Sequence, residues 1–233
     1  MRRVLRYGRL ALGLGFFISA VSVPQARAQN VLGEILKRMD IYNKTLQSLK
    51  ADVEMVKYNP QLNVSDTTIG TTSYLPKTTK RVMFVRIDWT KPVEEQVSVI
   101  GDSYELYRPR LNQVIVGKTG NAKNNASVGG ALGFMGMSKE KLKANYDVVY
   151  IGEEQIKGGV KTWHLQLTPK VAAGYKLAEL WVDGDGIPRQ AKITEQNNDT
   201  TTVLLSNVRR NETIQGSMFK LNYDRKKVKI IKA

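Results

Sequence analysis

Chemistry built on histidine or cysteine would have to begin at His164, the single histidine among 233 residues that include no cysteine, and paired carboxylates brought together by distant strands are the other open route. One histidine cannot build a zinc site of the usual His and Cys ligands. A Ser–His–acid triad could rest on this residue alone. His164 lies in TWHLQLTP, where strand alternation puts Trp163, Leu165 and Leu167 on one face and His164 on the other with Thr162 and Gln166. A half-exposed strand residue is expected, without the positioned partner that acid–base catalysis needs. The run DGDG at 183–186 resembles the start of a calcium loop, but counting from Asp183 the fifth position is Ile187 and the twelfth Thr194, which offer no such ligands. It reads as a turn. GGALGFMG at 129–136 lacks the lysine and hydroxyl residue of a phosphate loop. No catalytic residue, cofactor or metal is expected, and the protein is not expected to be an enzyme.

The informative residues are apolar. In KRVMFVRIDWTKP at 80–92, alternation places Arg81, Met83, Val85, Ile87 and Trp89 on one face and Val82, Phe84, Arg86 and Asp88 on the other. Val97 and Val99 extend the apolar row on the next strand, Leu106, Val114 and Val116 extend it further, and Trp163, Leu165 and Leu167 supply a second row. Together these twelve residues, from Met83 to Leu167, are the expected apolar lining of the sheet. Between 119 and 145 the pattern breaks into a polar, glycine-rich stretch. A small apolar cluster follows, Leu132, Phe134, Met135 and Met137, and then a short helix with Ser138 as N-cap and Glu140 in its first turn. A long loop that carries apolar residues is often functional, as a lid, with ordinary packing under the sheet as an equal alternative.

The elements that position these rows are legible in the periodicity. Leu32, Ile35, Leu36, Met39, Tyr42, Leu46 and Leu49 recur at helical spacing, and the period changes to two near Leu49. Strands are expected near 50–58, 67–76, 80–89, 94–100, 103–108, 112–117, 146–153, 160–168, 174–183, 187–196, 200–208, 218–222 and 227–231. KGG at 157–159 and DGDG at 183–186 close hairpins. Without βαβ alternation the sheet is antiparallel. The expected architecture is mainly β: a large curved antiparallel sheet or incomplete, unclosed barrel. An N-terminal helix and the central helical segment cover its concave hydrophobic face.

The first 28 residues read as a cleaved signal peptide: basic MRRVLRYGR, an apolar run, then Ala26, Arg27 and Ala28 as an A-x-A site. The run is about 14 residues, short of the ~20 that span a bilayer. Cleavage leaves one expected domain, 29–233, exported and monomeric. It also removes five arginines, taking the formal charge from +15 to +10. Export argues against nucleic acid as partner for that charge, leaving anionic headgroups. The tail DRKKVKIIKA reads chiefly as a charge-protected edge strand, with a membrane-surface contact as the lesser reading.

Taken in order, the opening helix into LQSLKADVEM, then YLPKTTKRVMFVRIDWTKP, VIGDSYELYRPRLNQV, WHLQLTPK, ELWVDGDGIPRQAKITEQNNDTTTVLLSNV and MFKL resemble the periplasmic outer-membrane lipoprotein carrier family, LolA. The resemblance implies an unclosed barrel of about eleven strands, with helices as a lid over a hydrophobic cavity, and makes the twelve apolar residues from Met83 to Leu167 the expected lipid contacts. It implies that the protein takes acylated lipoproteins from an inner-membrane lipoprotein-releasing ABC transporter and passes them to an outer-membrane acceptor. It also gives Arg81, heading the third strand, the role of a latch on the lid. Val82 stands where the family usually has proline, and Ser103 where its turn has glycine. At about 0.8 kcal/mol per buried CH₂, a chain of ~15 methylenes clings to a membrane by ~12 kcal/mol, so crossing water requires an apolar hollow. The competing expectations are a sensor of envelope lipid or lipoprotein, RseB-type, and a carrier of another lipid.

Overall fold

The computed structural model describes residues 25–119, 133 and 137–232. The chain opens with α1 (Gln25–Thr45). Ile35, Leu36, Met39 and Tyr42 share one side of it and are at most 3% exposed. Glu34–Arg38 and Asp40–Lys44 pair along its exposed flank at 3.0 and 2.7 Å. The helix stops at Thr45, so Leu49, the last member of the expected stripe, is already the first residue of β1 (Leu49–Asn59). The expected cut after Ala28 falls in the first turn of α1; the rest of the expected leader lies outside the described residues.

Among the described residues twelve strands form one sheet. After β1 come β2 (Val64–Leu75), β3 (Phe84–Lys91), β4 (Glu95–Ile100), β5 (Ser103–Arg108) and β6 (Gln113–Lys118). Then follow α2 (Lys139–Asn145), β7 (Tyr146–Ile156), β8 (Val160–Pro169), β9 (Tyr175–Asp183), β10 (Pro188–Glu195), β11 (Thr200–Arg210) and β12 (Lys229–Lys232). The sheet order is β12-β6-β5-β4-β3-β2-β1-β11-β10-β9-β8-β7. Among the described residues the two edges do not pair with each other, so the sheet is not closed into a barrel.

Three expectations need correction. The strand expected at 80–89 begins only at Phe84, because residues 78–81 form a turn closed by Thr78 N–H donating to the Arg81 carbonyl at 2.8 Å. The segment 218–222 is not a strand; Gly216–Phe219 is a 3₁₀ turn that carries Phe219, fully buried, onto the sheet. The sheet is not wholly antiparallel either, since β12 pairs parallel to β6. The reason is the route: from β11 the chain crosses the sheet as a strap, 211–228, and enters β12 in the same direction as β6.

Cross-strand partners share a face, so the register traces one apolar surface across the sheet. It runs Leu165–Leu180–Ala191–Val203–Met55 from β8 through β9, β10 and β11 to β1. Beyond β1 it continues through Gly70, Trp89 and Ile87 to Val97 and Leu106. From β8 as far as Val97 of β4 this inner face packs on α1 in one continuous cluster that also takes in Leu142 of α2. Each fully buried aliphatic side chain of α1 contributes about 1.5–3 kcal/mol, so the helix is part of the core. Two glycines permit the arrangement. A Cβ on Gly186 (φ +81°) would collide with the backbone at Arg38 of α1, and one on Gly70 would collide with the Asp88 carbonyl of β3.

Candidate functional site

The inner face is covered unequally. Over β8–β11, Leu165, Leu167, Ala178, Leu180, Val182, Ala191 and Val203 are all 0% exposed. Arg38 of α1 lies over the Trp163 ring, 5.4 Å from its centroid, and donates to the Gly184 carbonyl at 2.8 Å. The hollow expected here is filled by α1. Over β3–β5 the same face is looser. Ile87, Trp89 and Leu106 are buried, whereas Val85, Val97 and Val99 are half-buried. Met83, half-buried, precedes β3.

Val114 and Val116 do not belong to this face. Val114 pairs with Tyr107 and Val116 with Glu105, whereas Leu106 pairs with Ile115. The expectation took the right strand in the wrong register, and a one-residue slip exchanges the faces. Val114 is fully buried on the outer face, which the strap crosses. There Tyr107 meets Tyr223 at 5.4 Å between ring centroids, Phe84 meets Phe219 at 5.2 Å, and Arg86 donates to the Met218 and Lys220 carbonyls at 2.7 and 3.1 Å.

Arg81 lies in the β2–β3 connection, half-buried. Its guanidinium donates to the Pro76 carbonyl at 3.2 Å and to the Gln47 carbonyl, where α1 passes into β1, at 3.4 Å; its Nε is buried without a partner among the described residues. It therefore ties the exit of α1 to the rim of the looser half. Of the expected lid residues, Leu132, Phe134 and Met135 lie outside the described residues. Met137 packs on the core cluster, and its carbonyl accepts from Asn43 Nδ2 of α1 at 3.1 Å. α2 is capped as expected, with Ser138 accepting from the Lys141 N–H.

His164 is not half-exposed; it is 8% exposed on the outer face, stacked on Trp181 with centroids 4.3 Å apart. Nδ1 lies 2.8 Å from Glu154 and Nε2 3.1 Å from Glu179, which also pairs with Lys192 at 2.9 Å. The Trp181 indole N–H donates to Glu154 at 2.7 Å and, with His164, holds that carboxyl below its usual range. Single-letter spacing could not reveal the cluster, because four strands, β7 to β10, bring it together. Burial pushes the phenols of Tyr42 and Tyr74 up where α1 meets β2. A cleft of about 530 Å³ opens between β1–β3 and the strap, lined by Lys50, Asp52, Arg86, Asp88 and Arg209 among others. Its charge makes it unsuited to an alkyl chain.

An unclosed, mostly antiparallel sheet that wraps an apolar face around a helix, with a second short helix at its margin, defines the class. A profile of the family "Outer membrane lipoprotein carrier protein LolA" matches residues 78–222, and the chain belongs to that family. An uncharacterized conserved protein from Thermus thermophilus has a similar fold: TM-score 0.55, 13% identity, 87% of this chain and 99% of that one covered. A crystal structure of MucB gives TM-score 0.50 and 14% identity over 84% of this chain, which spans 63% of MucB. A putative outer membrane lipoprotein-sorting protein domain from Vibrio parahaemolyticus gives 0.42 and 16%, with 80% and 94% covered. No curated protein matches the chain closely enough to count as a relative. Among the described residues no helix is long and apolar enough to cross a membrane.

Proposed function

We propose that the protein is a periplasmic carrier, released from its leader as the single domain 29–233. In this reading it shelters lipoprotein acyl chains on its inner face between an inner-membrane ABC transporter and an outer-membrane acceptor. The observation that carries the reading is the unequal cover of one continuous apolar face. Where Val85, Val97 and Val99 are half-buried, an alkyl chain can gain contacts that the core beneath α1 has already made. Trp89, Ile87 and Leu106 form the floor. Cargo enters by displacing the cover from this half, and Arg81 sets the resistance by holding the α1 exit. Burial of the chain offsets the broken contacts. Binding weaker than a membrane's own grip then lets the acceptor take the load.

The test is to purify the exported protein, identify co-extracted lipid or lipoprotein by mass spectrometry, and measure binding of a diacylated lipopeptide. Val85→Asp with Val97→Asp is expected to lower lipopeptide affinity at least about tenfold, since an alkyl chain would meet two desolvated carboxylates. Undiminished binding by a folded double variant would place the acyl chains elsewhere and end this reading of the face.

A further inference from the structure

The two ends of the sheet are built differently. At one end the turns are small and polar: Gly101–Asp102, Lys157–Gly159 and the Gly184–Gly186 run. At the other, three hairpins consecutive in the sheet present bare aliphatic side chains. Leu62 of the β1–β2 turn is 73% exposed, Val93 of β3–β4 37%, and Leu111 of β5–β6 65%. Val64, beside Leu62, adds a fourth at 49%. With strands ~4.8 Å apart, neighbouring hairpin tips stand about 10 Å apart, so the three make a rim roughly 20 Å long. Among the described residues the polar end exposes fewer large apolar side chains, Val82 (48%) and Ile100 (38%).

The aliphatic rim is flanked by cations. The strap enters β12 beside Leu111, the Lys229 N–H donating to the Asn112 carbonyl at 2.7 Å, and this brings exposed Arg225, Lys226, Lys227 and Lys229 against the β5–β6 hairpin. Lys91 and Arg110 stand in the hairpins themselves, without an ion pair among the described residues. The local acids are fewer. Glu95 is occupied by Arg108 at 3.0 Å, Asp224 pairs weakly with Lys227 at 3.8 Å, and Glu94 and the exposed Asp66 near Val64 remain. Val171, 74% exposed in the β8–β9 connection, lies beyond the polar β10–β11 turn and is not part of this rim.

We infer that this rim is a docking surface for an anionic lipid bilayer: Leu62, Val93 and Leu111 enter the interfacial layer while the 225–229 run, Lys91 and Arg110 lie against headgroup phosphates. Aliphatic tips with adjacent basic residues combine the two terms that hold peripheral proteins on membranes. Neither suffices alone. The tips bury few methylenes, and the charges act only within a Debye length, about 8 Å at physiological salt. The result is reversible attachment, with the opposite end of the sheet and the Arg81 loop directed away from the membrane.

The inference is tested by co-sedimentation of the exported protein with vesicles of phosphatidylethanolamine and phosphatidylglycerol, against phosphatidylcholine alone. Binding is expected only to the anionic vesicles and to weaken as salt is raised. Leu62→Ser with Leu111→Ser, both largely exposed positions, should lower partitioning about tenfold without changing the thermal midpoint. Lys226→Glu with Lys227→Glu should lower it comparably, whereas Lys37→Glu with Lys161→Glu, exposed elsewhere on α1 and β8, should leave it within about twofold. Equal losses in both charge variants would reduce the effect to net charge and overturn the proposal; so would a Leu62/Leu111 variant that binds like the parent. A change in oligomeric state without vesicles would make the rim an interface between copies instead, and also overturn it. Vesicle binding requires no cargo, so failure here leaves the carrier reading standing, and loss of lipopeptide binding leaves this one.

Discussion

The inner face over β8–β11 and the same face over β3–β5 are drawn from one repertoire of Val, Leu, Ile and Trp, yet they do different work. In the first, small and branched residues alternate so that Ala178 and Ala191 leave room for α1, and Leu165, Leu180 and Val203 close around it without remaining exposure. In the second, valines stand on short strands of six to eight residues and keep part of their surface. An apolar row thus becomes core or contact surface according to what covers it, not according to its composition. The tighter packing concentrates stability in the first half; under the proposed function the second is the half that exchanges partners.

The difference is broken most directly by truncating one residue on each side. Leu180→Ala, in the sealed half, should cost about 2–5 kcal/mol, the range for a buried leucine whose cavity collapses only partly. Val97→Ala, in the looser half, should cost about 1 kcal/mol or less. Chemical denaturation of the two variants reads both values, with lipopeptide binding as the second readout. Only Val97→Ala should weaken binding at concentrations where both variants are folded. Equal stability losses would mean that the two halves are packed alike and that the looser one has no spare surface.

This division was only partly legible in the sequence. Helical spacing found the buried side of α1, and period-two alternation found the strands and the inner face of β3 and β8, because solvent on one side and core on the other leave a mark in every second residue. The same signal misassigned Val114 and Val116. Both faces of β6 are apolar when a strap covers the outer one, so alternation could not say which face was inner. The strap's own 3₁₀ turn was read as a strand because Met218 and Phe219 supply the apolar character of a strand without its hydrogen bonds. Nor could spacing separate filled core from contact surface. That depends on where α1 lies, and its position is set by distant contacts such as Gly186 against Arg38.

A smaller effect is expected at the seam between the halves. Arg81→Leu removes the donors to the Gln47 and Pro76 carbonyls but relieves the buried, unpartnered Nε, so its cost in stability should not exceed about 1–2 kcal/mol. The fold should survive while the α1 exit loosens. Lipopeptide should then bind and dissociate with altered rates, and transfer to an acceptor membrane should slow or lose its control. Stopped-flow transfer at the parent's rate would show that Arg81 is no latch, and that the looser half opens by a route independent of α1.

The smallest effect belongs to the outer face, behind the sealed half. Glu154 there faces Trp181, His164 and, through Glu179, Lys192. Its carboxyl is held below its ordinary value chiefly by the Trp181 N–H. A carboxyl with a depressed folded pKa adds stability that is fully present above its unfolded pKa, about 4.3 for Glu. That stability is lost as pH falls through the folded value. Because the Glu154 side chain is 48% exposed, solvent screens the interaction, and Glu154→Gln should cost under about 1 kcal/mol near neutrality. The gap between parent and variant should persist down to the ordinary carboxylate range and close below it, as measured by urea midpoints across pH. A loss as large as that of Leu180→Ala would mean that the polar cluster, rather than the apolar face beneath α1, holds β7–β9 together.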